Sequence, residues 1–218
     1  MDQALSVKSN YNSLMEQSQL IVQQNVSNPA LDPNEERYAV LHLIIQNTNR
    51  ESQDYDFAHT QTAVYRFISV ISQIVIGWGG LLIEGNHHAY TAIFPLSKPD
   101  SSLHSCICGV QIINAINNVI LPSFEREGID SQYRCAVGIS LGSVQGIQTG
   151  LESPVQSLYY GEGIKSAMEY ASMSNGLVIV DKMIKDNLER SYADLEVQLL
   201  PYRKHEWVGY QFVVGRNG

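Results

Sequence analysis

Apolar positions along this chain change period several times, and each change marks an element. The run RYAVLHLIIQN, residues 37–47, is almost continuously apolar and β-branched, which predicts a strand buried on both faces. From Phe57 onward Ala63, Val64, Phe67, Ile68, Ile71, Ile74 and Val75 recur at intervals of three and four, predicting an amphipathic helix that ends at Gly77. GLLIE and AYTAIF flank Gly85, Asn86, His87 and His88 and read as a β-hairpin. Leu103, Ile107, Val110, Ile113, Ile116, Ile120 and Phe124 mark a second long helix. A strand over Tyr133 to Leu141, a short helix over Gly163 to Ser172 and the strand LVIV follow. A helix from Asp181 to Leu188 and two strands, Leu195 to Leu200 and Val208 to Val214, close the run. Strands alternating with helices predict an α/β class.

The N-terminal stretch carries Leu5, Leu14, Leu20 and Ile21 among good helix formers, which predicts a weakly amphipathic helix. SNPALDPNEE, from Ser27 to Glu36, combines two prolines with Asn, Asp and Ser and reads as a linker. The expected division is a helix and linker over residues 1–33 and one domain over 34–218. A length of 218 residues at 44% hydrophobic suits one globular core. The formal net charge of -8 disfavours attraction to nucleic acid or anionic lipid. No membrane span is expected, because no run approaches eighteen apolar residues. Cys106, Cys108 and Cys135 are an odd set, and the CxC pair lies on a predicted helix where i and i+2 do not face each other. They read as reduced, buried thiols of a cytoplasmic protein.

This order of elements, together with certain residues, resembles the catalytic domain of class III nucleotidyl cyclases. The resemblance covers about Arg37 to Val214 and implies a ferredoxin-like βαββαβ core. It is carried by the paired Gly79-Gly80, the hairpin step Gly85-Asn86, and Gly138-Ile139-Ser140-Leu141-Gly142 on a strand with further glycines at Gly146 and Gly150. The segment Gly161-Glu162-Gly163-Ile164-Lys165, opening the next helix, completes the set. In that family the first strand and the hairpin each supply a metal-binding Asp, and the later helix supplies an Asn and an Arg. A Lys and an Asp read the base.

By that resemblance all six positions hold different chemistry here. The metal positions fall on Gln46 and Asn86, the Asn and Arg positions on Lys165 and Glu169, and the base-selecting positions on Leu82 and Leu158. Cyclisation of a nucleoside triphosphate needs divalent ions to activate the attacking hydroxyl and to neutralise the phosphates. Magnesium is held by anionic oxygen, which neutral amides do not provide. Lys165 keeps a donor, while Glu169 sets a negative charge where phosphate would lie.

Other candidates carry ordinary explanations. His87 and His88 at a hairpin tip suggest a zinc site, but adjacent strand residues point to opposite faces. Lys165 with Arg134 suggests an anion patch, against which stands a simple solvated lysine. Glu84 and Glu169 would make an acid–base pair only if the fold joined them. The glycines of GSVQGIQTG lack the Lys and Ser/Thr of a phosphate loop and favour a tight β-hairpin. Trp78 and Trp207 read as core or interface aromatics.

The resulting expectation is a catalytically degenerate cyclase-like protein that acts by homodimerisation or by binding a protein partner or nucleotide, with no cofactor. The alternative is a divergent active cyclase using Mg2+ or Mn2+, with Asp54, Asp56 or Glu84 as substitute ligands. A small-ligand regulatory module is a third, weaker reading.

Overall fold

The computed structural model describes residues 31, 35, 37–47, 57–86, 88–129, 132–149, 156–192 and 197–214. The predicted N-terminal helix, Asp54, Asp56 and His87 lie outside them. In chain order the elements are β1 (Arg37–Asn47), α1 (Phe57–Gly77), β2 (Leu81–Gly85), β3 (Ala89–Pro95) and α2 (Ser101–Glu127). Then come β4 (Tyr133–Ser143), β5 (Gln145–Thr149), β6 (Gln156–Tyr160), α3 (Glu162–Met173) and β7 (Val178–Val180). Helix α4 (Lys182–Ser191) and strands β8 (Val197–Lys204) and β9 (Trp207–Val214) end the described chain.

Seven strands form one sheet in the order β2-β3-β1-β4-β7-β9-β8. The β4–β7 pair is parallel and the others are antiparallel. The first four strands with α1 and α2 are the expected ferredoxin-like βαββαβ core.

Side-chain alternation divides the sheet into two faces. Leu41, Leu43 and Ile45 of β1, Tyr90, Ala92 and Phe94 of β3, and Cys135, Val137 and Ile139 of β4 point into the main core. There they meet Phe67, Ile71 and Val75 of α1, Ile112, Ile116 and Ile120 of α2, and Ile184 and Leu188 of α4. The opposite face is covered by α3 alone among the described helices, through a smaller cluster of Tyr38, Val40, Ile93, Ile164 and Ala167. Leu31 packs against that cluster, and Glu35 Oε2 accepts a hydrogen bond from the Ser97 amide at 2.9 Å, so both described residues of the predicted linker are docked on the domain.

Glycine makes the seating of α3 possible. A methyl on Gly138 would lie 2.2 Å from the Ala167 carbonyl oxygen and the Ala171 nitrogen, and one on Gly142 would lie 2.5 Å from the Gly163 backbone. Only hydrogen fits between strand and helix at these points. Asp181, buried at the start of α4, accepts from the Ile184 amide at 2.7 Å, from Ser140 Oγ at 2.6 Å and from the Leu141 amide at 3.0 Å. It caps α4 and ties it to β4.

Two features differ from the sequence expectation. Helix α2 contains a π-helical turn, Ile116–Ile120, in which the Leu121 amide donates to the Ile116 carbonyl. Pro122, which follows, has no N–H to donate and crowds the preceding turn, and the wider turn accommodates it. The glycine-rich stretch after β4 does not fold back tightly; β5 leaves the sheet and pairs with β6 as a separate ribbon. Ser101–Glu127 is also long and apolar enough, by length and composition only, to cross a membrane, which is weak evidence for a span, and here its apolar side is core.

A buried histidine is the least expected interior group. His42, in the middle of β1, is 4% exposed and its Nδ1 lies 3.0 Å from Thr91 Oγ1. Burial lowers its pKa from the usual 6.5 to about 4, so it is neutral in the folded protein. As pH falls from about 6.5 to about 4 the unfolded chain takes up a proton that the folded chain refuses. Stability therefore declines across that window and levels off below it, by on the order of 3 kcal/mol. His42→Gln should flatten this part of the stability curve in denaturant titrations. An unchanged slope would place the acid sensitivity elsewhere.

Candidate functional site

The end of the α3-covered face where β1 terminates is left open by that helix. Gln46 is opposed to Arg134 across the β1–β4 pair, and both are exposed. Directly opposed residues project to the same side, with Cβ atoms about 4.5–5.5 Å apart. Helix α3 crosses β4 at Gly138 and Gly142, four and eight residues beyond Arg134.

On the other side of β1 stands the β2–β3 turn. The Ile45 amide donates to the His88 carbonyl at 2.7 Å, which sets the turn beside the end of β1. Asn86 Oδ1 accepts from the amides of His88 and Ala89, each at 2.8 Å. Its side-chain oxygen closes the turn, an arrangement suited to Asn and Asp. The two positions that the resemblance equates with metal carboxylates thus lie at the same end of the sheet, with the start of β3 between them, and Asn86 has its oxygen engaged.

The remaining candidates are dispersed. Lys165 is exposed in the first turn of α3 and Glu169 is half-buried one turn further on. The start of α3 sits at Gly142, about 26 Å along β4 from Arg134. The suggested patch of Lys165 with Arg134 is therefore not formed, because antiparallel packing carries the start of α3 away from Arg134. Leu82 pairs with Ala92 and packs against the main core, on the opposite face from Gln46. Leu158 is exposed on the β5–β6 ribbon. His88 is exposed at the turn. Among the described residues no three His, Cys, Asp or Glu side chains gather closely enough to hold a metal.

Residues the sequence reading missed include a polar row beneath α3. A register shift at Ile83 turns Glu84 to face Thr91, and Thr91 in turn meets His42. The signal was a lone His inside an apolar strand and a Thr in the facing one, whose pairing depends on register. The three thiols are buried and reduced, with Cys108 and Cys135 each pushed up to about 12 by burial and Cys106 higher still. They are poor nucleophiles and poor metal ligands.

No protein-family model matches the chain, and no curated protein matches it. Solved structures do. The adenylyl cyclase CyaB from P. aeruginosa is similar at a TM-score of 0.71 and 14% identity, covering 86% of this chain and 98% of that one. The dimeric guanylyl cyclase domain of the RhoGC fusion protein from the aquatic fungus Blastocladiella emersonii is similar at 0.65 and 18% identity, covering 84% and 98%. The guanylate cyclase domain of RhGC from Catenaria anguillulae, solved in complex with GTP, is similar at 0.65 and 16% identity, covering 82% and 95%. The described chain has the fold of class III adenylyl and guanylyl cyclase catalytic domains.

Proposed function

We propose that this chain is a catalytically degenerate class III cyclase-like protein that acts by pairing with a second copy and by binding, without making cyclic nucleotide. The observation that carries this reading is the chemistry at the end of β1. Gln46 and Asn86 lie at the same end of the sheet, both neutral, and the Asn86 oxygen is held by two backbone amides. A site of that kind lacks the anionic oxygen that Mg2+ or Mn2+ would need. On α3, Glu169 replaces the arginine that would stabilise phosphate charge, and loss of one such contact typically lowers a rate by about 10²–10³. The separation of the β1 end from α3 within one chain also fits composite sites shared between two subunits, and both halves are altered.

Pairing is supported by the ribbon. Strands β5 and β6 bond to each other and to no other described strand. A lone two-stranded ribbon is marginal in water. Leu158 and Tyr160 on it are 55% and 47% exposed, and Met168 on α3 is 47% exposed. Apolar surface of this kind marks an interface. A second copy is the proposed occupant; the similar Blastocladiella domain is solved both as a non-canonical dimer and as a monomer, and the N-terminal segment from Leu5 to Val26 is assigned to the same assembly.

Incubation with each of the four nucleoside triphosphates and Mn2+ or Mg2+ should yield no cyclic product above background. Product that disappears in Glu84→Ala would replace this reading with a divergent cyclase. By sedimentation the full chain should be a dimer at tens of micromolar, and Leu158→Asp with Tyr160→Asp should shift it to monomer without lowering its melting temperature. A wild-type monomer would overturn the pairing.

A further inference from the structure

We propose that His42 makes the seating of α3 acid-sensitive: protonation of its imidazole lifts that helix from the β1–β4 pair while the core on the other face of the sheet stays closed. His42 stands on the α3 face of β1, in line with Tyr38 and Val40, and is almost fully buried. Its neighbours across the strands are Thr91 of β3, whose Oγ1 is 3.0 Å from Nδ1, and Gly138 of β4. Gly138 offers no side chain to shield the ring, and the backbone of α3 from Ala167 to Ala171 lies directly on it. On that flank the imidazole is kept from water by the helix itself.

The charged groups around it leave an imidazolium without compensation. Glu84 of β2 is exposed and separated from His42 by Thr91. Asp181, joined to β4 through Ser140, already receives three hydrogen bonds. On α3, Lys165 is exposed while Glu169 and Tyr170 are half-buried, and Arg134 lies at the open end of β4. Burial, and none of these charges, holds the imidazole at about 4. A proton on His42 therefore demands water.

Helix α3 is the element that gives way, because its seat is small. At Gly138, Gly142 and Gly163 the contact is backbone, and Ala167 and Ala171 add only methyl groups, so little apolar area is buried there. The opposite face is held by α1, α2 and α4 through large side chains such as Phe67, Ile71, Ile112 and Leu188. Local opening draws on the least stable unit of a fold. Tyr202 Oη and Lys204 Nζ donate to the Met173 carbonyl at 3.0 and 3.2 Å, which tethers the C-terminal end of α3, so the helix lifts from its N-terminal side. With the ring near 6.5 when open and about 4 when covered, the opening constant rises about twenty-fold between about pH 7 and about pH 5. Opening uncovers Val40, Ile93 and Ile164.

Hydrogen exchange of the full chain at about pH 7 and about pH 5, corrected for the intrinsic exchange rates, tests this device. Amides from Ala167 to Ala171 should be protected at least about ten-fold less than those from Ile112 to Ile116 at both pH values, and should lose a further factor of about twenty in acid. In His42→Gln the acid loss at α3 should shrink to less than about two-fold. Equal protection of α3 and α2 would mean that the two open only together and would overturn the proposal. So would α3 protection that ignores pH, or an acid loss that survives in His42→Gln. If that variant does not fold, the ring-carbon shifts of His42 in the wild-type protein decide: titration near 4 with α3 opening separately supports the device, and titration near 6.5 overturns it.

Discussion

Helix α3 rests backbone against backbone on β4, and the architecture around the candidate site depends on that contact. Four glycines, Gly138, Gly142, Gly161 and Gly163, bring the two elements closer than side chains allow. Gly161 also adopts φ 147°, which an L side chain rarely takes, with its would-be methyl 2.2 Å from the Ser143 oxygen. The close approach keeps α3 over the β1–β4 pair. It buries Val40, Ile164 and Ala167 together and does not itself extend over the end of β1. It also carries the start of α3 about 26 Å along the sheet from the Gln46–Arg134 pair.

The packing that holds this fold together does not depend on the metal and nucleotide chemistry of the family it resembles. Packing requires hydrogen at the helix–strand contact, apolar stripes on α1 and α2, and a buried carboxylate at Asp181 that receives three hydrogen bonds. None of these requirements involves a metal or a nucleotide. Gln46 and Asn86 are close in shape to carboxylates, and Asn86 still closes the hairpin through its oxygen. Their neutrality costs the backbone nothing and changes the electrostatics entirely. Arg134, already opposite Gln46, is then left facing uncharged amides.

Much of this was legible in the sequence, and the rest was not for identifiable reasons. Helix α1 ends where its three-and-four periodicity ends, at Gly77, because Phe67, Ile71 and Val75 face one core. The strand run 37–47 and the β2–β3 hairpin are likewise local patterns. The π turn of α2 is hidden because the apolar spacing continues through it, and Pro122 was the overlooked mark. The β5–β6 pairing joins strands across a gap in sequence, which periodicity does not report. For the site, residue identities were readable and their facing was not. The register shift at Ile83 decides that Glu84 lies on the face of Gln46 while Leu82 lies on the other.

The central proposal is that the end of β1, with Gln46 and Asn86 at the family's metal positions, binds no divalent ion. Titration of Mn2+ into isotopically labelled full-length protein, followed by paramagnetic broadening of the backbone amides, tests it most directly. The expected result is that amides from Ile44 to Gln46 and from Glu84 to Ala89 broaden no more than exposed amides elsewhere. Selective broadening of those two segments at submillimolar Mn2+ would contradict the claim.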